Sequence, residues 1–455
     1  MKLSPFRSIA LLVIALVGIG TLPASAANLT SNAEISRIFT KISLSPHLAN
    51  PSMILIDRGT GEVLFQKGTG SPRRPASVLK LLSATTALEF LDPESRYVTQ
   101  VSLATTPQTV IIQGDLDPWM TTSYKLARTQ GRALLPYLAT KALYGLGAKE
   151  NGPLTEISVR YIGLFTADVN YLREFFKSKG ISAHFSTIGP NYVAANTERV
   201  IASVTSSTIT EMVKFALTWS DNLLADRLVR AAARATGFTN DDVGISNVIK
   251  KMLTTLQISD AGLFVLDGSG LSKSDRVTVR LIADLLLKIR GDEKFAAVYE
   301  GLPVSGITGT LEDRFLTTAP QAVGLVRAKT GTLNGTVSLA GYVESGAHEY
   351  VFVAIADRIK KGEVAAKMAR ATLDKLLGRI TAPFIFPTQS SSSTPSSSSS
   401  EPPVGITEIP PPTELPVGTD TISSSSEPPV GLVSGAIGAI GDKGVVVKED
   451  VATRA

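Results

Sequence analysis

The 455-residue chain contains no cysteine. This absence excludes disulfide bonds, zinc–thiolate sites and cysteine nucleophiles together. Histidine is almost as scarce, with His47, His184 and His348 the only three, and none has a metal-ligand partner four residues further on. A zinc hydrolase site or a Ser-His-Asp triad therefore has little support, and we interpret the three as surface or hydrogen-bonded core histidines.

Long hydrophobic runs are also rare, since the only one lies at the N-terminus. There a basic start, Lys2 and Arg7, precedes an apolar run from Ile9 to Ile19 and the small residues Ala24-Ser25-Ala26. This order is typical of a cleavable secretory signal over residues 1–26, and it predicts an extracytoplasmic protein of the cell wall, the periplasm or the medium. An uncleaved anchor is the alternative, but the run is short for a spanning helix. We expect no transmembrane anchor after signal removal.

Basic residues outnumber acidic ones outside the C-terminal segment. The net charge is +5, and the four basic and eight acidic residues from Arg379 onward give −4, so the rest of the chain carries +9. Such a surface would favour an anionic wall polymer or a membrane surface, although ordinary solvation is an equally simple interpretation. The charge is too diffuse to predict a nucleic-acid partner.

Residues 388–455 have too few large apolar residues to form a core. They are rich in Ser and Pro, and they repeat imperfectly as Glu401-Pro402-Pro403-Val404-Gly405 and Glu427-Pro428-Pro429-Val430-Gly431. This composition predicts a disordered tail or a wall-spanning linker. Binding of a partner is the alternative to a spacer.

Strand patterns at both ends of the remaining chain, with helical patterns between them, predict an α+β fold in which one mixed sheet is completed by N- and C-terminal pieces. We assign residues 27–92 and 201–380 to this domain and residues 93–200 to a smaller inserted domain. The supporting segments are a helix after Ser31 or Asn32, a hairpin of Met53–Asp57 and Glu62–Gln66, helices at Thr208–Trp219, Leu223–Ala233 and Val364–Leu377, and strands at Leu325–Ala328, Val337–Val343 and Tyr350–Ala356.

The stretch from Pro75 to Lys80 reads Pro-Ala-Ser-Val-Leu-Lys and opens an apolar helix. Pro75 fits a helix start, where its missing N–H costs nothing. Ser77 and Lys80 are three residues apart and therefore share a helix face. A lysine in a water-poor pocket can lose its proton and act as the base for a serine hydroxyl. Because this spacing also occurs by chance, other segments must support it.

Two further motifs follow, Ser220-Asp221-Asn222 between two predicted helices and Lys329-Thr330-Gly331-Thr332 at the end of a predicted strand. Each motif is weak alone, whereas the three in this order are strong evidence. With this set the chain resembles the penicillin-recognising serine enzymes, a superfamily of D-alanyl-D-alanine peptidases and serine β-lactamases. The resemblance implies their fold, an antiparallel sheet flanked by helices together with an all-helical part.

Other segments narrow the resemblance. They are Gln113-Gly114-Asp115-Leu116-Asp117-Pro118, Asp267-Gly268-Ser269-Gly270-Leu271-Ser272 with Arg276-Val277-Thr278, and Leu302-Pro303-Val304-Ser305-Gly306 with Gly309-Thr310-Leu311 and Arg314. In these the chain is similar to the class C low-molecular-weight penicillin-binding proteins, which are D-alanyl-D-alanine carboxypeptidases/endopeptidases with a domain inserted between the first two motifs. The similarity covers roughly residues 53–377. The insertion is shorter than expected, so one subdomain of that family is expected to be missing.

The resemblance implies catalytic roles for the first two motifs. Ser77 would attack the carbonyl of a D-alanyl-D-alanine bond, with Lys80 as the base, its pKa lowered by burial and by nearby Lys329. Which group takes the proton is disputed in the related enzymes. Ser220 would relay a proton to the leaving amine and Asn222 would hydrogen-bond the substrate amide.

The remaining roles concern binding and support. Lys329, Thr330 and Thr332 would bind the terminal carboxylate of the substrate, and Gly331 would let it lie close to the strand. The backbone N–H groups of Ser77 and Thr332 would form the oxyanion hole. Asp221 is expected to point away as a structural carboxylate, and residues 267–270 either shape a loop near the site or contact it directly.

We therefore predict a serine-type D-Ala-D-Ala carboxypeptidase that acts on peptidoglycan pentapeptide stems through an acyl-enzyme on Ser77, binds β-lactam antibiotics covalently and needs no metal or cofactor. Endopeptidase activity is left open, since both reactions cleave after D-alanine. A catalytically silent penicillin-binding sensor and a slow serine β-lactamase are the alternatives. The intact motifs favour the enzyme, and the absence of Glu between Asp221 and Lys288 argues against the deacylating glutamate of class A β-lactamases.

Overall fold

The computed structural model of the chain describes residues 31–147 and 154–381. The predicted signal segment, residues 1–26, and the predicted tail, residues 388–455, lie outside the described residues. Within the described ranges, no helix is both long and apolar enough to cross a membrane.

The described residues form ten strands and twelve α-helices, each numbered along the chain. The strands are β1 (Ser52–Asp57), β2 (Val63–Lys67), β3 (Arg96–Ala104), β4 (Thr109–Gln113), β5 (Glu156–Ile162), β6 (Ser182–Thr187), β7 (Thr197–Thr208), β8 (Val326–Leu333), β9 (Thr336–Ser345) and β10 (His348–Ala356). The helices are α1 (Asn32–Ser43), α2 (Lys80–Phe90), α3 (Tyr124–Gln130), α4 (Leu135–Gly145), α5 (Thr166–Ser178), α6 (Pro190–Asn196), α7 (Ile209–Thr218), α8 (Asn222–Ala235), α9 (Asp242–Thr255), α10 (Val279–Ile289), α11 (Ala296–Glu300) and α12 (Glu363–Gly378). Short 3₁₀ turns cover Ala76–Leu79, Glu293–Phe295, Gly309–Leu311 and Pro320–Ala322.

The first sheet joins the two ends of the described chain in the order β2-β1-β10-β9-β8. All neighbouring strands in it are antiparallel. The predicted α+β class and the shared sheet are therefore confirmed. The antiparallel sheet that the resemblance implies is also confirmed, and only the expectation of a mixed sheet was wrong. Hairpins join β1 to β2 through five residues, and β8 to β9 and β9 to β10 through two residues each, and a hairpin reverses the chain direction.

Strand β1 lies between two apolar cores and is buried along its whole length. Its side chains alternate between the faces of the sheet, as those of any strand do. Ile54 and Ile56 face a core built on α2 and α7 to α10. Met53 and Leu55 face a second core that includes α1 and α12. The sheet is thus covered by helices on both faces. Helix α2 lies on the face that carries Ile54 and Ile56.

The second sheet contains the strands between residues 96 and 208, in the order β6-β5-β4-β3-β7. Strands β4, β5 and β6 are parallel, whereas β3 is antiparallel to both of its neighbours. A separate apolar core, which includes Leu138, Val159 and Phe176, packs against it. The assignment of residues 93–200 to an inserted domain stays a prediction, and β7 continues eight residues beyond that boundary.

Arg73 connects the segment before Pro75 to the first sheet. Its guanidinium forms an ion pair with Asp357 at 2.9 Å and donates to Ser52 Oγ at 2.9 Å and to the Asn50 carbonyl at 3.2 Å. The other carboxylate oxygen of Asp357 accepts the backbone N–H of Arg74. Arg73 is only 5% exposed, so its charge depends on these partners.

We expect Asp357→Ala to lower the free energy of unfolding by about 3 kcal/mol, because it leaves the Arg73 charge buried without its partner. Urea denaturation at neutral pH would measure the loss. The matched control is Glu363→Ala, which breaks an ion pair with Arg370 whose Glu363 side chain is 77% exposed. That change should cost about 1 kcal/mol or less. Equal losses in the two variants would contradict the structural importance of the buried pair.

Candidate active site

Ser77 lies in the 3₁₀ turn Ala76–Leu79, which leads directly into α2. The sequence predicted a helix start here, and the structure refines it to a tighter turn. Ala76, the residue before Ser77, has φ of +48°, in the left-handed region that residues with a Cβ rarely adopt. The turn is therefore strained and needs support from its surroundings.

The strained turn packs against the first sheet. The buried hydroxyl of Ser338, on β9, donates to the Pro75 carbonyl at 2.6 Å. Gly331, which pairs with Ser338 across the ladder, approaches so closely that a Cβ would lie 2.9 Å from the Pro75 oxygen. A Cβ would come closer still to the Ser338 hydroxyl, so both Ser338 and the turn that carries Ser77 require glycine here. The predicted role of Gly331 beside the substrate stays a prediction.

Lys80 brings three distant segments together. Its side chain is 1% exposed, and its Nζ donates to Ser77 Oγ at 2.9 Å, to Asn222 Oδ1 at 2.7 Å and to the Ser269 carbonyl at 2.8 Å. Burial lowers the pKa of Lys80 to about 8, against the opposing effect of the Asp267 and Asp221 carboxylates. An ammonium group with this pKa loses its proton readily near neutral pH.

Lys329 is the second buried lysine of the site. It is fully buried on β8, and its Nζ donates to the Thr330 carbonyl at 3.1 Å. Burial, together with the neighbouring Lys80 charge, holds the pKa of Lys329 well below its usual value. Repulsion between two neighbouring ammonium groups disfavours the state in which both are charged, and it lowers the pKa of Lys329. The predicted effect of Lys329 on the pKa of Lys80 stays a prediction.

The Ser-Asp-Asn motif forms the turn between α7 and α8. Ser220 has φ of +58°. Asp221 caps α8 by accepting the Leu224 N–H at 2.9 Å, which agrees with its predicted structural role and makes Asn222 the first residue of the helix. Asn222 reaches Lys80, whereas the Ser220 hydroxyl makes no hydrogen bond to any described residue. The structure thus joins Ser77, Lys80 and Asn222 directly but leaves Ser220 outside this network.

The Lys-Thr-Gly-Thr motif lies within β8, at the edge of the sheet, because β8 extends through Leu333 rather than ending at Ala328 as predicted. Backbone bonds from Ser305 N to Val326 O and from Ala328 N to Pro303 O cover the first part of this edge. Alternate residues of a strand present their backbone groups to the same side, so Thr330 and Thr332 face that edge as well. This part of the edge can receive an extended peptide.

Sequence reasoning missed one supporting group, Ser338, and named two others, residues 267–270 and Thr310, without settling their roles. Asp267 accepts the N–H groups of Ser269, Gly270 and Ser272, each at 2.6 Å, and so shapes the loop that presents the Ser269 carbonyl to Lys80. Residues 267–270 therefore both shape the loop and contact the site, and the Asp-Gly-Ser-Gly pattern was their signal. Thr310, whose hydroxyl lies 2.7 Å from that of Thr330, belongs to the Gly309-Thr310-Leu311 segment that the sequence singled out without giving it a role. Ser338 had no comparable signal.

Comparisons with known proteins identify the family. Residues 34–135 and 161–380 match the sequence profile of the D-Ala-D-Ala carboxypeptidase 3 (S13) family. The carboxypeptidase DacB of Mycolicibacterium smegmatis is 29% identical over 350 residues, which cover 66% of this chain and 76% of that protein. The crystal structure of penicillin-binding protein 4 from Haemophilus influenzae has the same fold, with a TM-score of 0.58 and 17% identity over 76% of this chain and 98% of that one.

A peptidoglycan endopeptidase from Bdellovibrio bacteriovorus also has this fold, with a TM-score of 0.53 and 14% identity over 74% of this chain and 94% of that one. The resemblance to class C low-molecular-weight penicillin-binding proteins is thereby confirmed. The chain belongs to the D-Ala-D-Ala carboxypeptidase 3 (S13) family.

Proposed function

We propose that this protein is a serine-type D-Ala-D-Ala carboxypeptidase that acts on peptidoglycan stem pentapeptides through an acyl-enzyme on Ser77. The observation that carries the proposal is the buried Lys80 ammonium, in simultaneous contact with Ser77, Asn222 and the Ser269 carbonyl. Family membership and the carboxypeptidase relatives support the activity. The signal-like N-terminus supports an exported protein that meets its substrate outside the cytoplasm.

The first step is acylation. Neutral Lys80 takes the proton of Ser77 while Ser77 Oγ bonds to the carbonyl carbon of the penultimate D-alanine. The N–H groups of Ser77 and Thr332 stabilise the oxyanion, a contribution of about 3 kcal/mol per donor in comparable sites. The C–N bond then breaks, and the proton that Lys80 took from Ser77 passes through the Ser220 hydroxyl to the leaving amine. The terminal D-alanine then departs. Water hydrolyses the ester in the second step and restores Ser77.

Substrate binding follows from the open edge of β8. An extended stem peptide pairs with Thr332 along this edge, and its terminal carboxylate meets the hydroxyls of Thr330 and Thr332 above Lys329. Because Asn222 Oδ1 accepts from Lys80, its amide nitrogen is left to donate to the substrate carbonyl. A β-lactam, which carries a carboxylate beside a strained amide, enters the same site and acylates Ser77.

We expect wild-type protein to be labelled by a fluorescent penicillin and to release D-alanine from a pentapeptide, and Ser77→Ala to do neither. Ser178→Ala, which removes an exposed hydroxyl on α5, is the matched control and should behave as wild type. Equal labelling of Ser77→Ala would overturn the assignment of the nucleophile. Label without D-alanine release would favour a sensor, and rapid loss of label would favour a β-lactamase. A cross-linked stem dimer in the same assay tests endopeptidase activity.

The rate of acylation should rise with pH, with a midpoint at about pH 8 and a plateau above about pH 9, since Lys80 must be neutral to accept the proton and its pKa is about 8. At pH 6, about one molecule in a hundred would carry neutral Lys80. Asp221→Asn removes a charge that raises this pKa, and Asn is also a good helix cap, so the midpoint should move to lower pH with the fold intact. Penicillin acylation rates between pH 6 and 10 measure the midpoint. A shift to higher pH would contradict the role of Lys80 as the base.

A further inference from the structure

Thr310 lies outside the three motifs, yet its hydroxyl oxygen is 2.7 Å from that of Thr330. Both side chains are partly exposed beside the open edge of β8. Within the described residues, neither hydroxyl has another hydrogen-bond partner. The two hydroxyls therefore retain hydrogen-bonding capacity for a substrate bound along this edge.

The turn that carries Thr310 is fixed on two sides of the site. On the side of β8, the fully buried Ser305 hydroxyl donates to the Ala322 carbonyl at 2.6 Å and accepts the Val326 N–H at 3.2 Å. On the side of Ser220, Gly309 has φ of +57° and lies so close to α7 that a Cβ would collide with the Thr218 carbonyl oxygen. Thr310 is thus held between the second and third motifs.

The number of hydroxyl protons determines which of Thr310 and Thr330 donates the hydrogen bond between them. A hydroxyl donates one hydrogen bond and can accept two, whereas a carboxylate only accepts. If Thr330 donated to Thr310, it would present lone pairs to a bound carboxylate, which repel it. If Thr310 donates instead, the single proton of Thr330 remains available for the carboxylate.

We propose that Thr310 is a positioning residue for the terminal carboxylate of the substrate: its hydroxyl donates to Thr330, so that the Thr330 hydroxyl donates to the carboxylate. This inference rests on the proposed function. Lys329 increases the need for such a donor, since its Nζ is buried and already bonded to the Thr330 carbonyl. Recognition of the carboxylate then depends more on hydroxyl donors, and less on the Lys329 ammonium, than the Lys-Thr-Gly-Thr motif alone suggests.

The experiment compares Thr310→Val, which keeps the shape and removes the hydroxyl, with Thr310→Ser, which keeps the hydroxyl. Each variant is assayed on a D-alanyl-D-alanine peptide with a free carboxylate and on the same peptide with a C-terminal amide. Acylation rates with a penicillin and with its methyl ester provide the same comparison without peptide turnover. Thr308→Val is the matched control, because the Thr308 hydroxyl accepts the Val304 N–H within the same loop.

We expect Thr310→Val to lower kcat/KM about tenfold for the free carboxylate, the loss of one hydrogen bond to a charged group, and to change the amide and ester reactions little. Thr310→Ser should restore most of the rate, and Thr308→Val should affect both members of each pair equally. Equal losses on carboxylate and amide, or no loss at all, would overturn the role of Thr310. A carboxylate-dependent loss with penicillin in a protein that releases no D-alanine would uphold Thr310 and overturn the carboxypeptidase. A wild type inert to both substrates would overturn both.

Discussion

The burial of the Lys80 ammonium is the interaction on which the rest of the site depends. A charge that is 1% exposed is costly unless it is fully hydrogen-bonded, and here three acceptors surround it, one from the preceding turn and two from distant segments. The fold must therefore bring Ser77, Asn222 and Ser269 to one point. It does so around α2, which is buried at nine of its eleven positions and so behaves as a helix in the middle of a core.

The two sides of the nucleophile are supported by different means. On the side of Lys80, hydrogen bonds compensate the charge. On the side of the sheet, the Ser338 hydroxyl and the close approach of Gly331 hold a turn in which Ala76 is strained. Strain of this kind persists only where the surroundings determine the backbone completely. The rigid ladder between β8 and β9 supplies that determination, so the motif strand contributes to the geometry of Ser77 as well as to binding.

The sequence was sufficient to predict the α+β class, the hairpin of β1 and β2, and the meeting of Ser77, Lys80 and Asn222, because these follow from periodicity and from the order of three motifs. It left open whether residues 267–270 contact the site, and so did not identify the Ser269 carbonyl as a partner of Lys80, 189 residues away. It could not predict the Ser338 hydroxyl, which lies 263 residues from Pro75. A backbone carbonyl carries no residue-type signal, and a serine in a strand resembles any other. The length of β8 was also underestimated, since Lys329 and Gly331 weaken a strand pattern that pairing with β9 overrides.

The residues of the predicted insertion also bear on the site through α8. Arg227, on that helix, stacks over Phe165 with its guanidinium 3.8 Å from the ring centroid and donates to the Pro118 carbonyl at 3.4 Å. Trp119, the next residue, is buried in the same core as α7 and lies 4.8 Å from Phe215 between ring centroids. Helix α8 begins at Asn222, and α7 ends two residues before Ser220. The segment from Pro118 to Trp119 therefore packs against both helices that define the Ser-Asp-Asn turn. The predicted insertion is shorter than expected for the family, but it retains this segment and so still supports the second motif.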